Sequence, residues 1–307
     1  MQLPEKKDLC MANTNAFLQS CELLSSGRDA LLRILKLEKF SDTQTLWIPE
    51  YFCPSVVRIL RKVANVKFYF DSPIEQSPNF ETLTPAENDA VLIVNFFGWR
   101  NFQLWQDWQN SQTKKLIFIE DHSHAPFSNW AMNTKADYSF ASLRKTLPLP
   151  DGAYLKKKNS LPHKIFQSGG ELSAFASDML SASTLQNLSL TNIAKRTAQN
   201  LKIFCENFAD SKNCIELNRK FGNIDNTTSV FNPILKFTDM RNRDKCHNAL
   251  FEIGVMPSIY WGGLGKSVSA QSHLVCDTTL AIPVDFRHSA DDVVRIAKFI
   301  NTCTHCE

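Results

Sequence analysis

The chain has 307 residues, of which 43% are hydrophobic and 21% are charged, and its formal net charge is +3. This composition supports one large α/β domain or two smaller ones around a hydrophobic core, and it excludes disorder as the dominant state. The small net charge and the absence of any apolar run near the ~20 residues that a membrane span needs argue against nucleic-acid and membrane partners.

The first residues of the chain carry charges where an exported protein would have an apolar stretch. This pattern predicts a cytoplasmic location, in which the 9 cysteines are expected to stay reduced. The cysteines lack the paired spacing of a zinc site, so most of them are expected to fill the core and no metal site is predicted from them.

The first half of the chain alternates short apolar runs with amphipathic segments, as parallel strands joined by crossover helices do. Apolar spacing predicts helices at 28–37, 54–62 and 105–115. It predicts strands at 46–48, 66–70, 90–95, 116–120, 138–141 and 153–155. These elements predict an α/β fold with a mainly parallel central sheet flanked by helices, in a large domain over residues 1–165.

Beyond about residue 160 the composition changes to a Ser- and Asn-rich helical stretch at 171–207. Strands are predicted at 230–237 and 280–284, and Ser289 with Asp292 resembles a capping box that opens a last helix at 290–300. Residues 166–307 are therefore expected to form a helical connection and a small C-terminal α+β lobe.

Polar clusters follow the predicted strands of the first half, where ligands collect at the carboxyl ends of parallel strands. Gly27 stands at a helix start, where backbone N–H groups can hold a phosphate, although an ordinary N-cap is the commoner explanation of such a segment. Asn95 leaves a buried strand and can hydrogen-bond a phenolate-type oxygen, or serve as a turn residue.

Two acids and two imidazoles stand at 120–124, directly after another predicted strand. They suit charge stabilisation or metal binding, so a metal-dependent hydrolase built on Asp121, His122 and His124 is one alternative. Lys145 lies in a loop beside Arg144, where burial and the like charge would favour the amine as a nucleophile. A solvated lysine is the alternative.

Taken in chain order, these clusters resemble the DegT/StrS-type sugar aminotransferases, which are pyridoxal phosphate enzymes of fold type I. Residues 26–31 resemble that family's Ser-Gly-Thr-x-Ala-Leu phosphate turn, and residues 48–53 resemble its strand ending in Pro-x-Tyr-Thr-Phe. Residues 119–124 resemble its Ile-Glu-Asp-Ala-Ala-Gln/His signature, and 138–145 resemble its Phe-Ser-Phe run before the lysine.

The resemblance implies roles for four residues that face the cofactor's reactive parts. Lys145 would bind pyridoxal 5'-phosphate covalently and then carry a proton between substrate and cofactor. Asp121 would pair with the pyridine nitrogen and keep it protonated. His124 and Asn95 would contact the phenolic oxygen.

The resemblance also assigns residues to the phosphate and to the face of the ring. Gly27, Arg28 and Ser142 would hold the phosphate, with Arg28 standing where the family has Thr. Phe52 or Cys53 would cover the ring, and Cys53 occupies the position of the family's stacking aromatic. The sequence Tyr-Trp-Gly-Gly at 260–263 is interpreted as a surface turn, with a substrate loop as the alternative.

The expected function is the transfer of an amino group from an amino acid, with glutamate as the expected donor, to a keto group. A nucleotide-linked sugar of polysaccharide biosynthesis is one candidate acceptor. The resemblance implies a homodimer. A second alternative is a scaffold or binding subunit that keeps the fold without activity, because the loops around the lysine are shorter than the family's.

Overall fold

In the computed structural model, the described part of the chain is residues 17–305 without 19, 148, 160–189 and 219–231. These residues form a seven-stranded sheet and a three-stranded sheet, with helices packed on both. The α/β architecture with a mainly parallel central sheet is therefore confirmed. The boundary at residue 165 lies outside the described residues and stays a prediction.

The larger sheet has the strand order β1-β7-β6-β5-β4-β2-β3. Strands β2 to β6 run parallel, whereas β7 is antiparallel to both of its neighbours. The strands are β1 (Glu22–Leu24), β2 (Thr45–Pro49), β3 (Asn65–Tyr69), β4 (Ala90–Val94), β5 (Ile117–Asp121), β6 (Tyr138–Ser142) and β7 (Ala153–Lys157). All six strands predicted for the first half are present, within one or two residues of their predicted starts.

The helices around this sheet are α1 (Gly27–Leu37), α2 (Pro54–Leu60), α3 (Phe102–Ser111) and α4 (Asn129–Met132). Helix α3 begins three residues earlier than predicted, because the Asn101 side chain accepts a hydrogen bond from the Gln103 N–H and caps the helix there. It ends at Ser111, before the predicted end at residue 115.

Both faces of the central sheet are covered, as the continuous apolar strands predict. On β4, Ala90, Leu92 and Val94 face the core that contains α1, while Val91 and Ile93 face the aromatic cluster around Trp105 of α3. This period-two alternation buries all five residues of β4 and fixes which side chains can reach the edge of the sheet.

The smaller sheet has the antiparallel order β10-β9-β8, with β8 (Cys214–Glu216), β9 (Ile234–Phe237) and β10 (Thr279–Ala281). It packs with α5 (Leu190–Asn207), α6 (Met240–Glu252), α7 (Ala270–Thr278) and α8 (Ala290–His305). The predicted strand 280–284 extends too far, since β10 ends at Ala281. Pro283 has no backbone N–H to donate to a neighbouring strand. Positions 230–231 of the other predicted strand, and 171–189 of the predicted helical stretch, lie outside the described residues.

The predicted capping box at the start of α8 is confirmed. The Ser289 N–H and hydroxyl both donate to Asp292 Oδ2, at 3.1 and 2.6 Å, and the Asp292 N–H donates back to Ser289 Oγ at 3.2 Å. Among the described helices, none combines the length and the apolar character that crossing a membrane requires.

Candidate active site

The carboxyl end of β5 divides its polar residues between the two faces of the sheet. Glu120 and His122 lie on one face, where Glu120 Oε2 is 2.9 Å from His122 Nε2. Asp121 lies on the other face, and its Oδ1 accepts a hydrogen bond of 2.8 Å from the Ser123 N–H. His122 therefore does not converge with Asp121 and His124, and no group of three potential ligands suited to a metal ion occurs in the part of the chain that is described.

The His124 side chain is buried just beyond the end of β5, and both of its ring nitrogens have polar neighbours. Nδ1 accepts a hydrogen bond of 3.1 Å from the backbone N–H of Phe97, and Nε2 lies 3.1 Å from Lys145 Nζ. Burial, followed by the neighbouring charge of Lys145, lowers the pKa of His124 well below its usual 6.5. The imidazole is therefore neutral at physiological pH.

Lys145 ends a short 3₁₀ turn, Leu143–Lys145, that follows β6 directly. Burial lowers the pKa of its ammonium group, while Asp121 and then Cys53 act in the opposite direction, and Arg144 adds a further lowering. These contacts bring an amine, a carboxylate, a thiol and an imidazole together at the carboxyl edge of the sheet, and this group of residues is referred to as the pocket. A solvated lysine, the alternative interpretation, is not observed.

The start of α1 lies against the end of β6. Ser26 caps the helix by accepting a hydrogen bond of 3.2 Å from the Asp29 N–H. A Cβ atom on Gly27 would lie 3.3 Å from the Phe140 ring and 3.6 Å from Ser142 Cβ, so only glycine allows this close approach without a shift. The helix start and the buried Ser142, which were predicted to share a phosphate, are therefore neighbours.

The other predicted site residues differ in exposure. Arg28 is exposed on the first turn of α1. Asn95 is buried at the end of β4, its N–H donates to the Asp121 carbonyl oxygen at 2.9 Å, and its Oδ1 finds no hydrogen-bond partner among the described residues. Phe52 is buried, and Cys53 is half-buried beside Ser55, with 3.2 Å between Sγ and Oγ.

An aromatic pair from the C-terminal part of the chain completes the pocket. Trp261 lies nearly parallel to the His124 ring, with 5.7 Å between ring centroids and 20° between planes. The Tyr260 ring centroid is 6.0 Å from Lys145 Nζ, and the Tyr51 hydroxyl donates to the Tyr260 carbonyl oxygen at 2.5 Å. Residues 260 and 261 thus form a turn whose aromatic side chains are half-buried against Lys145 and His124, whereas Gly262 and Gly263 are exposed.

The contribution of Phe97 was also missed by the sequence interpretation. Phe97 is not glycine, yet it has a left-handed backbone, with φ 53° and ψ 9°. Its ring stacks on the His124 ring, with 5.2 Å between centroids and 3° between planes. Its contacts with the Trp99 and Tyr260 rings are edge-on instead. The only local signal is the Gly98 that follows, which cannot reveal a bond to a histidine 27 positions away.

Comparison of the sequence with protein-family models gives no match, and comparison with curated proteins gives none either. Comparison of the structure with solved structures does. A DegT DnrJ EryC1 StrS aminotransferase from Brucella abortus matches with a TM-score of 0.70 and 13% identity, over 99% of this chain and 91% of that one.

Two further matches are similar in extent. NtdA from Bacillus subtilis, solved with bound cofactor PMP, has a TM-score of 0.69 and 13% identity, over 99% of this chain and 78% of that one. DesI, solved in the presence of its TDP-sugar product, has a TM-score of 0.67 and 14% identity, over 99% and 86%.

The chain has the fold of these aminotransferases. The fold that the resemblance implied is therefore confirmed, although the sequence identities are only 13% and 14%. In an aminotransferase fold, an amine beside a buried carboxylate at the carboxyl edge of the sheet is an arrangement suited to carbonyl chemistry.

Proposed function

We propose that the protein is a pyridoxal phosphate-dependent aminotransferase of the DegT/StrS type. The observation that carries the proposal is the pocket in which Lys145 Nζ lies 3.1 Å from His124 Nε2 and within electrostatic reach of Asp121. Burial of this amine lowers its pKa and so favours the neutral form, which is the reactive nucleophile.

The residues of the pocket fit this cofactor. Gly27 opens a helix whose first N–H groups favour an anion, and it leaves room beside Ser142 for a phosphate. Asp121 offers a buried carboxylate to a ring nitrogen. The unpartnered Oδ1 of the buried Asn95 can accept a hydrogen bond, which a donor group of a bound ligand would supply.

When bound, pyridoxal phosphate supplies an aldehyde that exchanges amino groups and a ring that accepts electrons. Lys145 Nζ would hold the cofactor at its aldehyde carbon and would carry a proton to and from the substrate. Asp121 would keep a proton on the ring nitrogen, and His124 and Asn95 would orient the phenolic oxygen. Ser142, with the Gly27 turn and Arg28, would bind the phosphate.

One side of the ring would be covered by Phe52 and Trp261. Cys53 is too small to act as the stacking aromatic, and Trp261 lies 5.7 Å from Phe52 and 4.9 Å from Tyr51, on the same side of the pocket. We therefore assign the cover to Trp261 together with Phe52, with Cys53 as a near neighbour of the amine.

The expected donor is glutamate, and the expected acceptor is a keto group on a nucleotide-linked sugar used in polysaccharide biosynthesis. The TDP-sugar product of DesI supports this acceptor class. We also propose a cytoplasmic homodimer, with the large domain over 1–165 and the small lobe over 166–307. The two separate sheets support this division.

Borohydride reduction of the protein saturated with pyridoxal phosphate tests the proposal. We expect the peptide that contains Lys145 to gain the mass of one pyridoxyl phosphate group. Visible absorbance is expected to appear on loading and to shift on addition of glutamate. Lys145→Ala should abolish both signals, whereas Lys158→Ala, at an exposed lysine nearby, should leave them unchanged.

An unmodified Lys145 in the presence of excess cofactor would contradict the proposal. A folded protein that stays colourless under these conditions would instead be a scaffold with the aminotransferase fold. Circular dichroism of the same sample distinguishes that result from a failure to fold.

A further inference from the structure

Two hydrogen bonds to the His124 ring, one at each nitrogen, restrict where its proton can be. The backbone N–H of Phe97 lies 3.1 Å from Nδ1, and a backbone N–H can only donate. Nδ1 must therefore present a lone pair and carry no hydrogen. This excludes the imidazolium ion, in which both nitrogens are donors, as well as the Nδ1–H tautomer.

The remaining proton of a neutral imidazole then resides on Nε2, 3.1 Å from Lys145 Nζ. An Nε2–H group can hydrogen-bond Nζ only if Nζ offers a lone pair. An ammonium group has none, so the pair is consistent with a neutral amine at Lys145. The direction of donation runs from Phe97 to His124 and from His124 to Lys145.

The Phe97 N–H is aimed at His124 by an unusual backbone conformation. A non-glycine residue in the left-handed region costs on the order of 1 kcal/mol, so the surrounding structure has to enforce it. The turn is closed by hydrogen bonds from Gly98 and Trp99 to Asn95 and Phe96 carbonyl oxygens, at 3.3 and 3.2 Å.

Two aromatic rings stack on the His124 ring and hold its plane. The Phe97 ring lies against His124 at 5.2 Å with 3° between planes, and Trp261 lies at 5.7 Å with 20°. Rotation of the imidazole by half a turn would exchange its nitrogens for carbons at both hydrogen bonds. Stacking thus holds the plane of the ring, and the two hydrogen bonds select between its two orientations in that plane.

We propose that Phe97 is a positioning residue whose backbone N–H holds His124 as the Nε2–H tautomer, so that His124 is a fixed donor toward the Lys145 amine. The use of this tautomer in amino transfer rests on the proposed function. The Nε2–H group of His124 would donate to the cofactor's phenolic oxygen, and the Lys145 amine would be uncharged before it meets an aldehyde. The tautomer itself can be measured without cofactor.

The charged groups around the pair do not reverse this assignment. Burial lowers the pKa of both Lys145 and His124, which favours the neutral form of each. Asp121 and Cys53 favour the charged lysine, but Arg144 opposes them. A charged lysine would also require Nε2 to accept, which leaves both ring nitrogens of His124 without a proton.

Nitrogen-15 NMR of the cofactor-free protein labelled at histidine tests the proposal at neutral pH. The chain has 7 histidines, and the signals that disappear in His124→Gln identify the ring. We expect Nδ1 to resonate as an unprotonated nitrogen and Nε2 as a protonated one. Additional labelling of the backbone should reveal a coupling across the hydrogen bond between Phe97 N and His124 Nδ1.

Protonation of Nδ1, whether as the other tautomer or as the imidazolium, would overturn the proposal. Phe97→Gly retains the N–H and the left-handed backbone but loses the ring, so the coupling should persist. Phe97→Val disfavours the left-handed backbone, so the coupling should be lost and the proton should distribute over both nitrogens. If Phe97→Val does not fold, the wild-type and Phe97→Gly spectra decide the question alone.

The NMR result is independent of the borohydride experiment. An Nε2–H tautomer in a protein that does not bind pyridoxal phosphate would retain the positioning inference and remove the proposed function. A Lys145 adduct in a protein whose His124 carries a proton on Nδ1 would do the opposite.

Discussion

At the scale of single residues, the site depends on how closely the backbone of α1 approaches β6. At Gly27 the Phe140 ring and Ser142 lie so near the helix that a Cβ atom would be 3.3 Å from the ring and 3.6 Å from Ser142 Cβ. Its role is steric: the backbone φ of Gly27 is not in the left-handed region, so a larger residue is excluded by contact and not by conformation.

Gly27→Ala is therefore expected to weaken the proposed phosphate site more than it weakens the fold. The new Cβ would displace the Phe140 ring or the helix start by a few tenths of an ångström, with an overpacking cost of about 1 kcal/mol. We expect pyridoxal phosphate to bind about tenfold more weakly, which corresponds to ~1.4 kcal/mol. Titration by absorbance and urea unfolding measure the two effects.

Gly265→Ala is the matched control, because its Cβ would meet only the Ser267 side chain, at 3.9 Å. Equal affinity for the cofactor in Gly27→Ala and Gly265→Ala would show that the α1 turn does not hold the phosphate.

At the scale of elements, the end of β2 is joined to the start of α7 by one carboxylate. Glu50 Oε2 accepts hydrogen bonds from the Ser269 N–H at 3.1 Å and from the Ser272 hydroxyl at 3.3 Å. Because the N-terminal end of a helix carries partial positive charge, an acidic side chain is favourable there. Glu50 thus connects the large sheet to the helix that leads into β10, close to the Tyr51 contact with Tyr260.

Glu50→Ala should lower the free energy of unfolding by about 1–2 kcal/mol, since two donors lose a charged acceptor. Glu50→Gln retains an acceptor oxygen and should lose less than half as much. Glu81→Ala, at an exposed acid in a 3₁₀ turn, serves as the control for the removal of negative charge. Urea unfolding at one ionic strength checks the ranking, and equal losses for Glu50→Ala and Glu81→Ala would contradict it.

At the scale of the whole molecule, buried phenol and thiol groups set an alkaline limit on stability. Burial raises the pKa of Tyr51, Tyr69 and Tyr154 above the usual 10, and it raises the pKa of Cys21 and Cys246 to about 12. In the unfolded chain these groups lose their protons at lower pH than in the folded protein. Folding therefore becomes less favourable as pH rises above 9 and then 10, by up to ~1.4 kcal/mol per pH unit for each group.

We expect the midpoint of urea unfolding to change little from pH 7 to 8.5 and to fall steeply between pH 10 and 11. Tyr69→Phe removes one of the buried phenols together with its 2.7 Å hydrogen bond to the Leu92 carbonyl oxygen. This variant should be less stable at pH 7 but lose less stability between pH 10 and 11. A slope identical to that of the wild type would show that Tyr69 does not titrate with unfolding.

The sequence by itself determined the parallel sheet, because buried strands such as Ala90–Val94 are continuous apolar runs between amphipathic segments. Helix starts at Ser26 and Ser289 were also readable, since capping depends on residues three apart. Strand β1 was not predicted, because three residues carry no periodicity and its partner β7 lies more than a hundred positions away.

The positions of Asp121, Ser142 and Lys145 followed from the sequence for a related reason. Each comes at or directly after the end of a parallel strand, and parallel strands bring their carboxyl ends to one edge. Their chemical roles rest on the resemblance and remain a proposal that the borohydride experiment tests.

Only the tertiary structure decided what surrounds the imidazole. Trp261 and Tyr260 reach the pocket from a loop that is more than a hundred residues beyond Lys145, and Phe97 contributes through its backbone N–H, which is the same in every residue except proline. Local spacing records hydrophobic faces and helix ends. It does not record which distant N–H a buried nitrogen will meet, because that is fixed by the packing of the whole chain.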